Sequence, residues 1–425
     1  MDVSAHRAFA LLKELAYERV SASDNEKRAA QRLLEVALST GVPAQIEEFK
    51  VPCGRVTHAK LMVTAPYQKA YEVTGYERAR STPEGGLDGE LYYAEDLLPL
   101  HLTRAKDKIV LINGRLRRKD YEKLQQAGAA AILTFSGTTL DRRGETDCDV
   151  RKLRETLTEP FGDAVALHLR TADAAEIVRR GARRMHVELQ GESYEGTSRN
   201  VCAVIEGTER PEEIVSFGAH FDSVNFSTGV YDNMSGSVIL MELLRYYARH
   251  KPARTLRFNW YGSEEQGLLG SKAWVAAHAQ ELERHRLMIN VDVAAATLGH
   301  NAAPVLATPH AVGYVDALMR EMGTACDVKL DIYSSDCIPF ADHGVPCVNL
   351  CRFGAPGADY IHDRRDHLKS GYLDERALGI TLEQALYLSR RVVNAAEFPI
   401  AREISEEIRG KVDEYLFKKE KKRDA

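Results

Sequence analysis

The stretch EIVSFGAHFDS, residues 213–223, runs from a nearly continuous apolar segment into His220, with Asp222 two positions beyond it. An unalternating apolar run of this length reads as a strand buried on both faces, as in a parallel sheet covered by helices. The flanking sequence repeats the theme. VCAVIEG (201–207), TLRFNWYG (255–262), LMINVDVA (287–294) and VPCVNLCR (345–352) read as strands. Between and after them, SGSVILMELLRYYARH (235–250), LLGSKAWVAAHAQEL (268–282), AVGYVDALMREMG (311–323) and TLEQALYLSRRVVNAA (381–396) carry helical apolar repeats. Alternation of this kind predicts an α/β fold with a mostly parallel central sheet and helices on both faces. The ligand site is then expected beyond the carboxyl ends of the strands.

Outward from this core, residues 3–18 carry a helical repeat. Ser23 with Glu26 forms a capping-box pattern for a second helix that stops at Gly41. From about residue 57 the texture changes: KIVLINGR, DYEKLQQAG, AAAILTFS, DAVALHL and TADAAEIVRRG form short strands and helices separated by charged, glycine-rich loops. The expected division is a main domain over 1–56 and 197–400, a smaller mixed α/β insert over 57–196, and a charged tail over 401–425 that reads as a solvated end. The insert shows no set of residues that could run a reaction.

With 425 residues, the chain exceeds the length at which a single core usually splits. A net charge of -5 gives no general electrostatic reason to bind nucleic acid. No segment reaches the roughly 18 apolar residues of a membrane span, and the first residues are charged throughout, so a cytoplasmic protein without membrane contact is expected. Seven cysteines without a CxxC pair argue against a disulfide scaffold or a thiolate zinc knuckle. Cys337, Cys347 and Cys351 read as small buried side chains. Self-association is left open.

The chemistry gathers at strand ends. His220 closes one strand, and Asp232 follows after a loop. Glu264 and Glu265 follow the next strand, Asp292 closes a third, and His362 follows a fourth. Two imidazoles and several carboxylates with no thiolate suit zinc, and could also hold cobalt or manganese. A carboxylate can bridge two ions, and a pair of ions can polarise a carbonyl and bind the attacking water. In the doublet, one glutamate binding metal leaves its neighbour free to act as general base. Asp222 is placed to accept the second ring proton of His220. Asp366, four residues after His362, either plays the same part or holds its loop.

The ordered set GAHFDS, YDNMSGS, YGSEEQGLLGS, INVD, YSSDCIPF and YIHDRRD resembles the M28 family of zinc metallopeptidases, the aminopeptidase Y and S group, over residues 15–56 and 197–397. That resemblance implies two Zn2+ per chain, one held by His220 and Asp292, the other by Glu265 and His362. Asp232 would bridge them, Glu264 would be the general base and Asp222 would orient His220. It also implies a peptide or small amide substrate, with removal of amino-terminal residues as the first expectation. A carboxypeptidase or aminoacyl-amide hydrolase is the alternative, kept open by Arg352, Arg364 and Arg365. Behind these stand a non-catalytic binding protein and a glutaminyl cyclase. The insert resembles a protease-associated domain over about 60–190. Asp363 and Cys337 depart from the serine or threonine and the histidine that many relatives carry, which bears on subsite shape. Tyr360 is a candidate to assist the oxyanion, with Tyr333 competing.

Overall fold

A computed structural model describes residues 3–114, 116–141, 148 and 150–418. The chain forms two compact units, Met1–Val51 with Thr197–Ala425, and Pro52–Gly196.

The first unit is built on a mixed sheet. Its strands run in the order Asp327–Leu330, Gly299–Leu306, Cys347–Gly354, His285–Val291, Arg210–His220, Arg254–Tyr261 and the second half of Arg184–Ile205. The four strands from Cys347–Gly354 to Arg254–Tyr261 are mutually parallel, while Gly299–Leu306 and residues 201–205 pair antiparallel at either side. The predicted α/β sheet with helices on both faces is therefore present. Two strands, Gly299–Leu306 and Asp327–Leu330, extend it although neither carries a clear apolar run.

Alternate residues of the parallel strands feed two cores. Val215, Phe217, Ala219, Phe258, Leu287, Ile289 and Val291 pack with helices Ala5–Glu14, Asp24–Leu38, Ser235–Arg249 and Glu375–Val393. On the other face Tyr261, Met288 and Cys347 join Leu268, Trp274, Phe340, Ile408 and Val412. Ile404, Ile408 and Val412 are buried there, so the start of the charged C-terminal segment is packed as the helix Glu406–Tyr415. Residues 419–425 lie outside the described residues.

Register sets up the site. Gly218 pairs with Asn290 and His220 with Tyr261, so the ends of three neighbouring parallel strands lie level. His220 occupies the middle end, with the turn to Glu264 on one side and Asp292 on the other. The helix Ser235–Arg249 is anchored beneath them: Ser237 Oγ donates to the His220 carbonyl at 2.8 Å, and Trp260 Nε1 donates to the Ser237 carbonyl at 2.9 Å.

In the second unit the strands run from the first half of Arg184–Ile205 through Leu87–Tyr93, Ile109–Leu111, Ala131–Ser136, Ala166–Arg170 and Val73–Glu77 to Arg151–Lys152. Separate apolar clusters around Leu133 and Leu167, and around Tyr121 and Ile132, form its core. Among the described residues, no helix is long and apolar enough to cross a membrane. Cys337, Cys347 and Cys351 are buried.

Candidate metal centre

Five residues from four strand ends converge. His220, Asp232 and Asp292 form one group, and Asp232, Glu265 and His362 form another, with the potential ligand atoms of each group within 4.8 Å of one another. Asp232 belongs to both. Its Oδ1 lies 3.1 Å from His220 Nε2 and its Oδ2 lies 3.0 Å from His362 Nε2. Asp292 Oδ1 is 3.6 Å from His220 Nε2, and Glu265 Oε2 is 2.9 Å from His362 Nε2. Glu264 stands outside both groups, with Oε2 at 3.9 Å from His220 Nε2.

The backbone around these side chains is unusual. Ser263, just before the glutamate doublet, has φ +56°; Val293, just after Asp292, has φ +58°; and His362 itself has φ +55°. L-residues rarely occupy this region, and such conformations gather where function demands them.

Electrostatics gives the arrangement its chemical meaning. Burial pushes the carboxyls of Glu264, Glu265 and Asp292 above the ordinary range, and negative neighbours add to it: Glu265, Asp336 and Asp292 around Glu264, and Asp232 beside both Glu265 and Asp292. Burial also raises Asp336, to about 7. Asp232 is the exception: burial opposes its charge, but hydrogen bonds from His220 and His362 outweigh this and lower its pKa. Burial likewise works against a charged His220, yet Glu264 and hydrogen bonds with Asp222, Asp232 and Asp292 raise it well above the usual value. A buried surplus of negative charge around two imidazoles is costly unless cations neutralise it. The nitrogen and oxygen donors, their spacing and the shared carboxylate fit a pair of divalent ions.

The supporting residues hold main chain more than side chain. Asp222 Oδ1 accepts the Glu264 N–H at 3.0 Å and Oδ2 accepts the Glu265 N–H at 3.2 Å, while Oδ1 lies 3.4 Å from His220 Nδ1. One carboxylate thus fixes the doublet and lies beside the imidazole. Asp222→Asn places an amide N–H against a backbone N–H. It is expected to weaken metal binding by about 10- to 100-fold, measured by competition with a chromophoric chelator. Asp366 accepts the N–H groups of Tyr231 and Asp232 at 2.8 and 3.1 Å, so it holds the Asp232 loop, whereas the ring of His362 meets Asp232 and Glu265.

Sequence reasoning missed Arg19. It is fully buried and donates to the carbonyls of Phe221 at 2.6 Å, Thr228 at 2.6 Å and Gly229 at 2.9 Å, joining the His220 loop to the Asp232 loop. A lone arginine in an N-terminal loop carries no periodic or motif signal. Tyr360 lies in the His362 loop with its ring against Tyr372, at 4.8 Å between centroids, and Arg365 over its face. Tyr333 is the phenol that feels Asp292 and Asp232, both of which, after burial itself, raise its pKa.

Residues 200–389 match the model of peptidase family M28. Carboxypeptidase Q of Mus musculus is 24% identical over 310 residues, covering 68% of this chain and 64% of that protein. Leucine aminopeptidase 1 of Trichophyton rubrum is 34% identical over 181 residues, covering 39% of this chain and 46% of that one. The chain therefore spans less than two thirds of either curated relative. Among solved structures, a zinc aminopeptidase from Bacillus subtilis superposes with a TM-score of 0.78 at 20% identity, covering 96% of this chain and 99% of that one. An aminopeptidase from Aneurinibacillus sp. strain AM-1 gives 0.72 at 21% identity, covering 94% and 96%. The chain has the fold of these aminopeptidases, and its residues 200–389 are similar to peptidase family M28.

Proposed function

We propose that this chain is a dizinc exopeptidase that removes amino-terminal residues from peptides. The observation that carries the reading is the pair of ligand groups sharing Asp232, with one further carboxylate, Glu264, left outside both. His220 and Asp292 would hold one ion, Glu265 and His362 the other, and Asp232 both. When bound, the two ions supply positive charge that polarises the scissile carbonyl and neutralises the oxyanion.

The chain's own residues supply the rest. Glu264 is buried, and its pKa is raised by that burial and then by its acidic neighbours, which suits a carboxylate that must take up a proton readily. It accepts a proton from the attacking water at a carboxylate oxygen and hands it to the departing amine nitrogen. Asp222 keeps the Glu264 backbone in place during that exchange. Asp366 and Arg19 fix the loop that presents Asp232.

The arginines favour a free amine over a free carboxylate as the recognised end. Arg352 donates to the Ala296 carbonyl at 2.8 Å and to Asn301 at 2.9 Å. Arg365 forms bonds of 2.8 and 2.6 Å to Asp363, and Arg364 stacks over Phe226 at 4.6 Å. All three are committed to their own structure, which weighs against their binding a substrate carboxylate. The relative named carboxypeptidase Q keeps the carboxypeptidase reading as the rival. The unit Pro52–Gly196 is read as a protease-associated-like insertion.

A peptide panel separates the readings. Each member is offered with a free or acetylated amino end and with a free or amidated carboxyl end, zinc is supplied, and products are identified by mass spectrometry. Shortening from the amino end, confined to free-amine peptides and indifferent to amidation, is expected. Cleavage of acetylated peptides from the carboxyl end would transfer the proposal to the carboxypeptidase.

A further inference from the structure

The structure assigns to Asn233 the task of fixing the separation between Asp232 and Asp292, and with it the retention of the ion that His220, Asp232 and Asp292 would hold; this rests on the two-metal reading above. Asn233 is fully buried and follows the shared aspartate directly. Its Nδ2 donates to the Val291 carbonyl at 2.8 Å, while its Oδ1 accepts the Val293 N–H at 3.1 Å and the Gly236 N–H at 3.0 Å. Val291 and Val293 are the two neighbours of Asp292. A single amide therefore holds the peptide groups on both sides of that ligand and ties them to the first turn of the helix Ser235–Arg249.

The surrounding geometry shows how closely the two segments are locked. Val293 has φ +58° and Ala295 φ +73°, a region that a β-branched residue in particular avoids without external support. Ser235 adds a second tie, donating from Oγ to the Tyr231 carbonyl at 2.7 Å and accepting the Ala294 N–H at 2.8 Å. A Cβ at Gly236 would stand 2.3 Å from the Val291 carbonyl oxygen and 2.6 Å from Asn233 Oδ1, so the approach of the backbones demands glycine there. Only an amide of this length offers a donor to Val291 together with an acceptor to Val293.

The tie is one-sided. The main chain of Asp232 is held independently by Asp366, and that of Glu265 by Asp222. The Asp292 N–H donates to the Leu350 carbonyl at 3.1 Å, so loss of the Asn233 amide leaves Asp292 on its strand, loosens its spacing from Asp232 and leaves the Asp232, Glu265 and His362 group assembled. Asn233 is a positioning residue for one of the two metal positions.

Metal content, measured by mass spectrometry after equilibration in zinc-buffered solution, tests this without reference to turnover. Wild type is expected to hold two ions and Asn233→Ala one, with affinity for the weaker position reduced about 10- to 100-fold. Adding His362→Ala to Asn233→Ala should take the content to zero, while adding His220→Ala should leave it at one. Ser235→Ala, which removes only the tie to Ala294 and Tyr231, should shift the same position by less, and it decides the matter if Asn233→Ala does not fold. Folded variants that keep both ions at wild-type affinity, or lose both in parallel, overturn the inference. A wild-type protein that never takes up two ions contradicts the two-metal reading instead.

Discussion

Asp232→Ala is expected to abolish binding at both metal positions together, from two ions to none. Each of the two groups needs one of its oxygens: Oδ1 faces His220 and Oδ2 faces His362. Without it, each position keeps only one imidazole and one carboxylate. Asp292→Ala is the control, because it removes a ligand from the His220 group alone and should leave one ion in place. The fold itself should survive Asp232→Ala, since the change removes a buried negative charge from a site that already holds a surplus. Thermal unfolding gives a second readout. A ligand bound only to the native state stabilises it by mass action, so zinc should raise the melting temperature of the wild type and leave that of Asp232→Ala unmoved. Retention of one tightly bound ion by Asp232→Ala would show that the aspartate is not shared.

Glu264→Gln is expected to reduce turnover by about 10²–10⁴-fold, the usual contribution of a general acid–base group, while two ions remain bound. The amide is nearly isosteric and leaves the N–H bond from residue 264 to Asp222 in place, so the doublet keeps its conformation. It cannot accept a proton from the attacking water. Substrate KM should change little, because the loss falls on the transition state. Loss of an ion in place of loss of turnover would mean that Glu264 and Glu265 have exchanged roles. The geometry argues otherwise: Glu265 Oε2 is 2.9 Å from His362 Nε2, while Glu264 Oε2 comes no nearer than 3.9 Å to the imidazole of His220.

Much of the site could be read from the sequence because a parallel sheet delivers chemistry at one place. Once residues 213–223 are a buried strand ending in His220, the acids after TLRFNWYG and at the end of LMINVD must fall beside it. His220, Asp232, the Glu264–Glu265 doublet, Asp292 and His362 could be grouped for that reason alone, whereas the choice of Glu265 as the ligand rested on the resemblance to M28 peptidases. The strands Gly299–Leu306 and Asp327–Leu330 were less legible, since small, polar and proline residues interrupt any apolar pattern. The antiparallel pairing of Gly299–Leu306 with Cys347–Gly354 was hidden too, because an apolar run carries no direction.

The supporting contacts were the least visible. Asp222 could be assigned to the His220 ring, but not to the backbone of Glu264 and Glu265, because main-chain hydrogen bonds leave no residue signature at the donor. Arg19 and Phe221 are 202 positions apart in the chain, and Asn233 and Val293 are 60 apart. Nothing in either local pattern announces the partner. Glu26 completes half of the expected capping box, with its N–H given to Ser23 Oγ, but its carboxylate reaches the Ala22 N–H and Ser198 instead of the Ser23 backbone. Buried there, it is pushed up to about 8.

The most direct measurement is a zinc titration of chelator-stripped protein in which bound metal and cleavage of a free-amine peptide are followed in the same samples. Uptake of two ions per chain, with amino-terminal shortening that appears as they bind and never occurs on the acetylated peptide, is the predicted result. Saturation of the protein without stoichiometric zinc uptake, or cleavage that proceeds equally in excess chelator, would contradict a two-metal aminopeptidase.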